Sequence, residues 1–155
     1  MWQMPSQKIY VLFQASVLET FDVYRQNSRT ATEAGGVLLG HVRGEHLEVI
    51  QATPPLAGDV RHRMQYERND PAHQTIADLM WRQSDGETRY LGEWHTHPED
   101  RPSPSRVDMN GWTHRALARQ DGRATLAVIV GRVGLYVSLV DGAGETALFL
   151  ECQSS

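Results

Sequence analysis

Leu91-Gly92-Glu93-Trp94-His95-Thr96-His97-Pro98, followed by Ser105-Arg106-Val107-Asp108, is the stretch on which this chain turns. Residues two apart in a strand share a face, so His95 and His97 converge on one side of a strand spanning Arg89 to Thr96, while Trp94 and Thr96 face the other. Residues three apart in a helix share a face. Ser105 and Asp108 therefore point together from the first turn of a helix that starts near Ser103-Pro104 and runs to about Gln120. Pro98, Pro102 and Pro104 stiffen the seven residues between His97 and Ser105 and hold that helix against the strand. Two imidazoles and one carboxylate are the inventory of a catalytic zinc site, which leaves its fourth position to water. A lone H-x-H or S-x-x-D carries little weight, because Ser and Asp both cap helices for unrelated reasons. In this order, and with a second acid upstream at Glu33, they read as one constellation.

The elements on either side complete a mixed architecture. Lys8 to Phe13 reads as a first strand. Ser16-Val17-Leu18-Glu19 has the form of a capping box, with Val17, Phe21 and Tyr24 on the buried face of the helix it opens. Gly35 through Val42 is a buried strand, Arg43-Gly44 a turn, and Leu47 to Ala52 the hairpin partner. Pro54 to Asp59 is a loop, and Val60, His62, Met64 and Tyr66 alternate as a strand. Asp70-Pro71 starts a helix with Ile76, Leu79 and Met80 as its apolar stripe, stopped near Gly86. Ala124–Val130, Val133–Val140 and Thr146–Glu151 are three closing strands. Strands and helices without strict alternation predict one mixed sheet with helices packed on its faces.

Composition removes several classes of function. The 155 residues, of 17.5 kDa, fit a single domain over 1–155. Fifteen Lys and Arg against nineteen Asp and Glu leave a charge of −4, unlike the basic footprint of a nucleic-acid binder. The single cysteine, Cys152, excludes an intramolecular disulfide and a multi-cysteine zinc cage, and it fits a reducing compartment. No run approaches the roughly 18 apolar residues of a membrane span, so a soluble, cytoplasmic protein is expected, with neither nucleic acid nor membrane as partner. His41, His46, His62, His73 and His114 have no companion at ligand spacing and are expected to be structural or superficial. Gly35 and Gly36 let backbone pass close to the site rather than cradle phosphate, since no Lys-Ser/Thr follows them.

Glu33 stands directly before Ala34-Gly35-Gly36-Val37-Leu38-Leu39-Gly40, and with it the chain resembles the JAMM metallopeptidases, the MPN-plus or JAB domains. Their signature is a glutamate, then H-[ST]-H-P, seven residues to a serine, and S-x-x-D. The likeness spans roughly residues 8–150. It implies an α/β fold class with α+β character: a central mixed sheet covered by helices, layered as in cytidine deaminases. It also implies one zinc ion per chain, held by His95, His97 and Asp108. Glu33 would act as general base and then general acid, and Ser105 as a hydrogen-bond donor to the oxyanion rather than as a nucleophile. Glu93 shares the strand face of His95 and could orient a ligand or meet substrate; a solvated strand-edge carboxylate is the plainer alternative. Glu99 and Asp100 are expected to face solvent.

The finer likeness, through Leu91–Glu99, Pro102–Ser105 and Arg68–Gln74, is to compact bacterial JAB proteins encoded with E1-like and E2-like enzymes in CBASS antiphage operons. It implies a deconjugating isopeptidase that releases a cGAS-like nucleotidyltransferase joined through its C-terminal tail by an E1–E2-like partner. Such a tail could add as a strand beside an exposed edge near the metal. Alternatives are a peptidase acting on another ubiquitin-like or sulfur-carrier protein, and a catalytically silent MPN scaffold, whose mark would be missing ligands. A zinc deaminase needs H-x-E with P-C-x-x-C, which one cysteine cannot supply. A non-haem iron oxygenase would leave Glu33 and Ser105 without a task.

Overall fold

The structure is a computed structural model and is described for residues 1–153. Its main sheet contains nine strands. They are β1 (Trp2–Gln3), β2 (Tyr10–Phe13), β3 (Gly35–Arg43), β4 (His46–Ala52), β7 (Arg89–Thr96), β8 (Thr125–Val130), β9 (Leu135–Val140), β10 (Thr146–Leu148) and β11 (Leu150–Glu151). Their order is β10-β9-β8-β7-β3-β4-β2-β1-β11, with β2–β4 and β7–β8 parallel and the other neighbours antiparallel. β5 (Val60–His62) and β6 (Gln65–Glu67) form a separate two-stranded ribbon. The mixed sheet expected from the sequence is therefore present.

Three helices cover the sheet: α1 (Ala15–Tyr24) on one face, α2 (Ala72–Gln83) and α3 (Arg106–Ala118) side by side on the other. Val17 and Phe21 of α1 are fully buried against Leu38, Val49, Leu91 and Trp94. Trp94, 1% exposed, also donates its indole N–H to Thr53 O at 2.9 Å. Truncating it to alanine costs about 3–5 kcal/mol. On the opposite face Trp112 of α3 packs on Ala127, Ile129 and Val140, while Ala77, Ile76 and Met80 of α2 pack on Val37, Leu39 and Tyr90. β7 thus runs along the floor between α2 and α3.

Several local expectations are corrected. The helix cap at Ser16 does not form: Gln14 occupies the N-cap position of α1, and Ser16 sits inside the helix with its hydroxyl directed at Ile50 O. The segment from Val60 to Tyr66 is a hairpin, because Arg63 and Met64 turn between β5 and β6. Leu79 is exposed, and His73 and Ala77 are the buried residues of α2. α3 starts two to three residues later than expected, at Arg106 with Ser105 as its cap. The last predicted strand splits at Phe149 into β10, which pairs with β9, and β11, which pairs with β1. These two pieces occupy opposite ends of the strand order yet are one residue apart in the chain, so the sheet curls until its ends meet.

Candidate metal centre

β7 delivers His95 and His97 to the α2/α3 face, and the α3 N-terminus delivers Asp108 from the side. His95 Nε2 and His97 Nε2 are 3.1 Å apart, and Asp108 places its carboxylate oxygens 3.2 Å from the first and 3.1 Å from the second. These three donors are the one group of His, Cys, Asp and Glu side chains among the described residues that converges closely enough to share an ion. Asp108 reaches one histidine through Oδ1 and the other through Oδ2, and donor separations of 3.1–3.2 Å are about what zinc–nitrogen and zinc–oxygen bonds of about 2.0–2.2 Å allow. The donor set therefore fits a small tetrahedral cation with one face left open.

The electrostatics agree. Burial opposes ionisation of Asp108, yet hydrogen bonds from His95 and His97 hold its carboxyl far below the usual carboxylate range. Burial likewise opposes a charge on His97, but Asp108 and Glu99 overcome it and push the imidazole up to about 9. In other words, these carboxylates call for positive charge at the point where the imidazoles meet, and a cation supplies it without protons.

Glu33 is 4% exposed, and its Oε1 lies 3.7 Å from His97 Nε2. Burial pushes its carboxyl up to about 7, against the pull of His97 and with the help of Asp108 and Glu99. Its backbone is pinned on both sides. Glu33 N–H donates to His62 O at 2.7 Å, Arg61 Nε donates to Glu33 O at 2.8 Å, and Thr96 Oγ1 accepts from Ala34 N at 2.9 Å. Thr96 thus faces away from the metal donors, as expected, and fixes the segment that carries Glu33 into β3. Gly35 has to be glycine here: a Cβ would come 2.5 Å from both Trp94 O and the Tyr66 ring.

Ser105 caps α3 with its hydroxyl oxygen accepting from Asp108 N at 3.1 Å, while Asp108 Oδ2 accepts from Ser105 N at 2.9 Å. The capping box thereby orients the ligand carboxylate and leaves the Ser105 hydroxyl hydrogen free to point into the cleft. That cleft, of about 810 Å³, is lined by Glu33, Tyr66, His95, His97, Ser105 and Asp108 among others. All five candidate catalytic and ligand residues thus come together.

Two acids behave differently from expectation. Glu99 is only half exposed, and its Oε1 lies 2.8 Å from His97 Nδ1. It takes that N–H and leaves the Nε2 lone pair to face the ion position. Glu93 neither orients a histidine nor stands free in solvent: it is buried between Arg68 and Arg115. Asp100 accepts from Arg132 Nε at 2.8 Å, and its carbonyl takes the N–H groups of Val133 and Gly134. This ties the loop after His97 to the β8–β9 turn, where a Cβ on Gly131 would meet Pro102 at 2.4 Å.

What holds the β5–β6 ribbon over the site is not legible in the sequence. Asp59 accepts from the N–H groups of Leu56, Asn69 and Asp70, from the Tyr66 hydroxyl at 2.8 Å, and from His73 Nε2 at 2.7 Å. His73 Nδ1 in turn meets Thr53 Oγ1 at 2.7 Å. His73 is structural, as its spacing implied. Asp59 is the unforeseen hub that sets Tyr66 against Gly35 at the mouth of the cleft.

A mixed sheet between helix layers, with two strand histidines and a helix-start aspartate under a buried glutamate, defines the JAB class of domain. The family described as prokaryotic homologs of the JAB domain matches residues 19–143, and the chain belongs to it. A "CD-NTase/cGAS isopeptidase" of Pseudomonas aeruginosa (strain BWHPSA011 / Pa011) is 46% identical over 148 residues, which is 96% of this chain and 94% of that protein. Proteins of the same description from Escherichia coli (strain TW11681) and Vibrio cholerae serotype O1 are 38% and 40% identical, over 83% and 74% of this chain and 80% and 71% of their own lengths. The solution structure of a Desulfitobacterium hafniense protein superposes with a TM-score of 0.62 at 20% identity, covering 90% of this chain and 88% of the other, which shows the shared fold.

Proposed function

We propose that this chain is a zinc-dependent isopeptidase that hydrolyses the amide joining the C-terminal tail of a CD-NTase/cGAS-type protein to its conjugation partner, undoing the work of an E1–E2-like enzyme in the bacterial cytoplasm. Residues 1–155 act in this reading as one domain, supported by a core that runs from Met4 to Phe149. The observation that carries the proposal is the convergence of His95, His97 and Asp108 beneath a buried carboxyl, Glu33, 3.7 Å from His97 Nε2. The relatives described as CD-NTase/cGAS isopeptidases supply the substrate class. No described helix is long and apolar enough to cross a membrane.

His95, His97 and Asp108 would hold one zinc ion. When bound, it supplies Lewis acidity, which makes water a nucleophile near neutral pH and polarises the scissile carbonyl. Glu33, buried and poised near neutrality, takes the proton of the attacking water and passes it to the leaving amine. Ser105, whose oxygen already accepts from Asp108 N, donates its hydroxyl hydrogen to the carbonyl oxygen as negative charge builds there. Glu99 keeps His97 in the tautomer that presents Nε2. The substrate tail reaches the cleft extended, pairing beside the β5–β6 ribbon at its mouth.

The test is to incubate the purified protein with fusions carrying candidate tails, with and without a chelator. Cleavage directly after the tail, abolished by chelation and restored by zinc, is expected. Cleavage unaffected by chelation would overturn the metal assignment. Indifference to alanine substitution at every one of the tail's last residues would overturn the extended binding mode.

A further inference from the structure

Glu93 lies two residues before His95 on the same face of β7, about 6.7 Å along the strand. It sits between two guanidiniums: Arg68 donates through Nε and Nη2 at 2.8–3.1 Å, and Arg115 contacts it through Nε at 2.9 Å. Glu93 and Arg68 are nearly buried, with side chains 10% and 15% exposed, while Arg115 is 40% exposed. Among the described residues neither arginine pairs with a second carboxylate. One carboxylate between two guanidiniums leaves one positive charge in surplus, and the outer N–H groups of both arginines have no acceptor among the described residues. Glu93 and Arg68 are shielded from solvent, so the surplus charge is screened less there than on an open surface, and an incoming anion beside the partly exposed Arg115 balances it.

The bridge lies on a continuous trough. The metal cleft shares Tyr66, His95, Val107 and Asp108 with a compartment of about 280 Å³ that contains Glu93, Arg68 and Arg115. That compartment in turn shares Arg68 and Arg115 with a cleft of about 630 Å³ between α2 and α3. A β-bulge at Leu91, unpaired between Gly92 and Tyr90 in the register with β3, puts Tyr90 on the same face as Glu93. Donors remain in excess along this floor. Tyr90 Oη and Arg89 Nε are buried without partners among the described residues, and the Arg89 guanidinium lies 5.8 Å from the Trp81 ring. Of the acids on the walls of the wider cleft, Asp121 is taken by Arg119 and Asp78 by Gln74, while Glu67 in the middle compartment accepts from Gln65 and Asn69.

We propose that the trough between α2 and α3 is a substrate subsite for a polypeptide, and that Arg68 and Arg115 there receive an acidic side chain about two residues from the bond cleaved at the metal cleft. The spacing follows from an extended segment lying along β7, which advances at the same rate as the strand beneath it. The carboxylate lodges between the outer N–H groups of the two guanidiniums, the geometry in which arginine binds carboxylates most strongly. This subsite rests on the isopeptidase reading above.

The test uses model isopeptide substrates that carry Glu or Gln at the second and third residues on either side of the scissile bond. The intact protein is expected to cleave the Glu form about tenfold faster than the Gln form at one of these positions, corresponding to one charge-assisted contact. In Arg115→Gln, which leaves the Arg68–Glu93 pair in place, that ratio falls to near one. In Arg115→Glu a Lys-bearing substrate becomes the preferred one. Equal rates for Glu and Gln at all four positions, or a preference that survives Arg115→Gln, would overturn the subsite. Binding to the Glu33→Ala protein separates this from the reading it rests on. An acidic peptide held by that variant, and held about tenfold more weakly once Arg115→Gln is added, supports the subsite even where no substrate is turned over. Absence of any difference between acidic and amide peptides in that binding assay counts against it.

Discussion

Replacing Asp59 by asparagine tests whether one buried carboxylate holds the ribbon at the mouth of the metal cleft. Five donors converge on it, and although burial alone would raise its pKa, bonds from Leu56 N–H, His73, Asp70 N–H and Tyr66 bring it down to about 2. A carboxyl near 3.8 in the unfolded chain and near 2 in the folded one contributes about 2.5 kcal/mol, fully present above pH about 4 and lost as pH falls through about 2. Asparagine keeps the shape but has one acceptor oxygen and turns its amide N–H groups towards donors, so it costs about 2–4 kcal/mol at pH 7. Urea unfolding followed by tryptophan fluorescence measures both quantities. The gap between native protein and variant should be largest at pH 7 and narrow by about 1 kcal/mol at pH 3 and about 2 kcal/mol at pH 2, as the native protein loses the contribution the variant never had. Asp108 and the other depressed carboxyls are common to both proteins and cancel in the difference. A gap below about 1 kcal/mol at pH 7, or one that stays constant with pH, would refute the role of Asp59 as hub.

Further outcomes follow from the site. Glu33→Gln should retain metal, measured by elemental analysis, while turnover drops by about 10²–10⁴. The acidic limb of kcat/KM, which in the native protein falls with decreasing pH at or below about 7 as Glu33 gains its proton, should vanish in that variant. Asp108→Ala removes a ligand, so stoichiometric zinc in the purified variant would contradict the assignment. Glu99→Ala frees the His97 Nδ1 proton and should weaken zinc binding about 10–100-fold in a competition titration with a chromogenic chelator. Ser105→Ala should lower kcat by about 10²–10³ with little change in KM, and should cost about 1 kcal/mol of stability through loss of the α3 cap.

The parts of this molecule that could be read in advance are those governed by short-range periodicity. Alternation along Arg89–Thr96 placed His95 and His97 on one face and Trp94 in the core, and the i, i+3 spacing placed Asp108 beside Ser105. The serine at 105 turns out to be the helix cap, so the start expected near Ser103-Pro104 falls a little further on while the Ser105–Asp108 pairing holds. What escaped depends on partners distant in sequence. Ser16 and Glu19 have the letters of a cap, but burial of Val17 and Phe21 draws the helix start back to Gln14. Val60 to Tyr66 alternates as a strand would, yet Asp59 bonds Tyr66, Asn69 and Asp70 and thereby folds the segment back on itself. Glu93 looks like any strand carboxylate until Arg68 and Arg115, 25 residues before it and 22 after it, close around it. Glu99 follows a proline in a polar loop and reveals its task only once the loop is tied down through Arg132 and Gly131.

The switch of partner at Phe149 bears on how the sheet closes. Phe149 is 1% exposed and donates to Val137 O, while Cys152 N–H donates to Met1 O, so residues 146–152 zip β9 to β1. Until that seam is sewn, the sheet has two raw margins open to a neighbouring polypeptide. Deleting residues 146–152 therefore unpicks both margins together, and the damage shows first as clumping rather than as loss of the metal cleft.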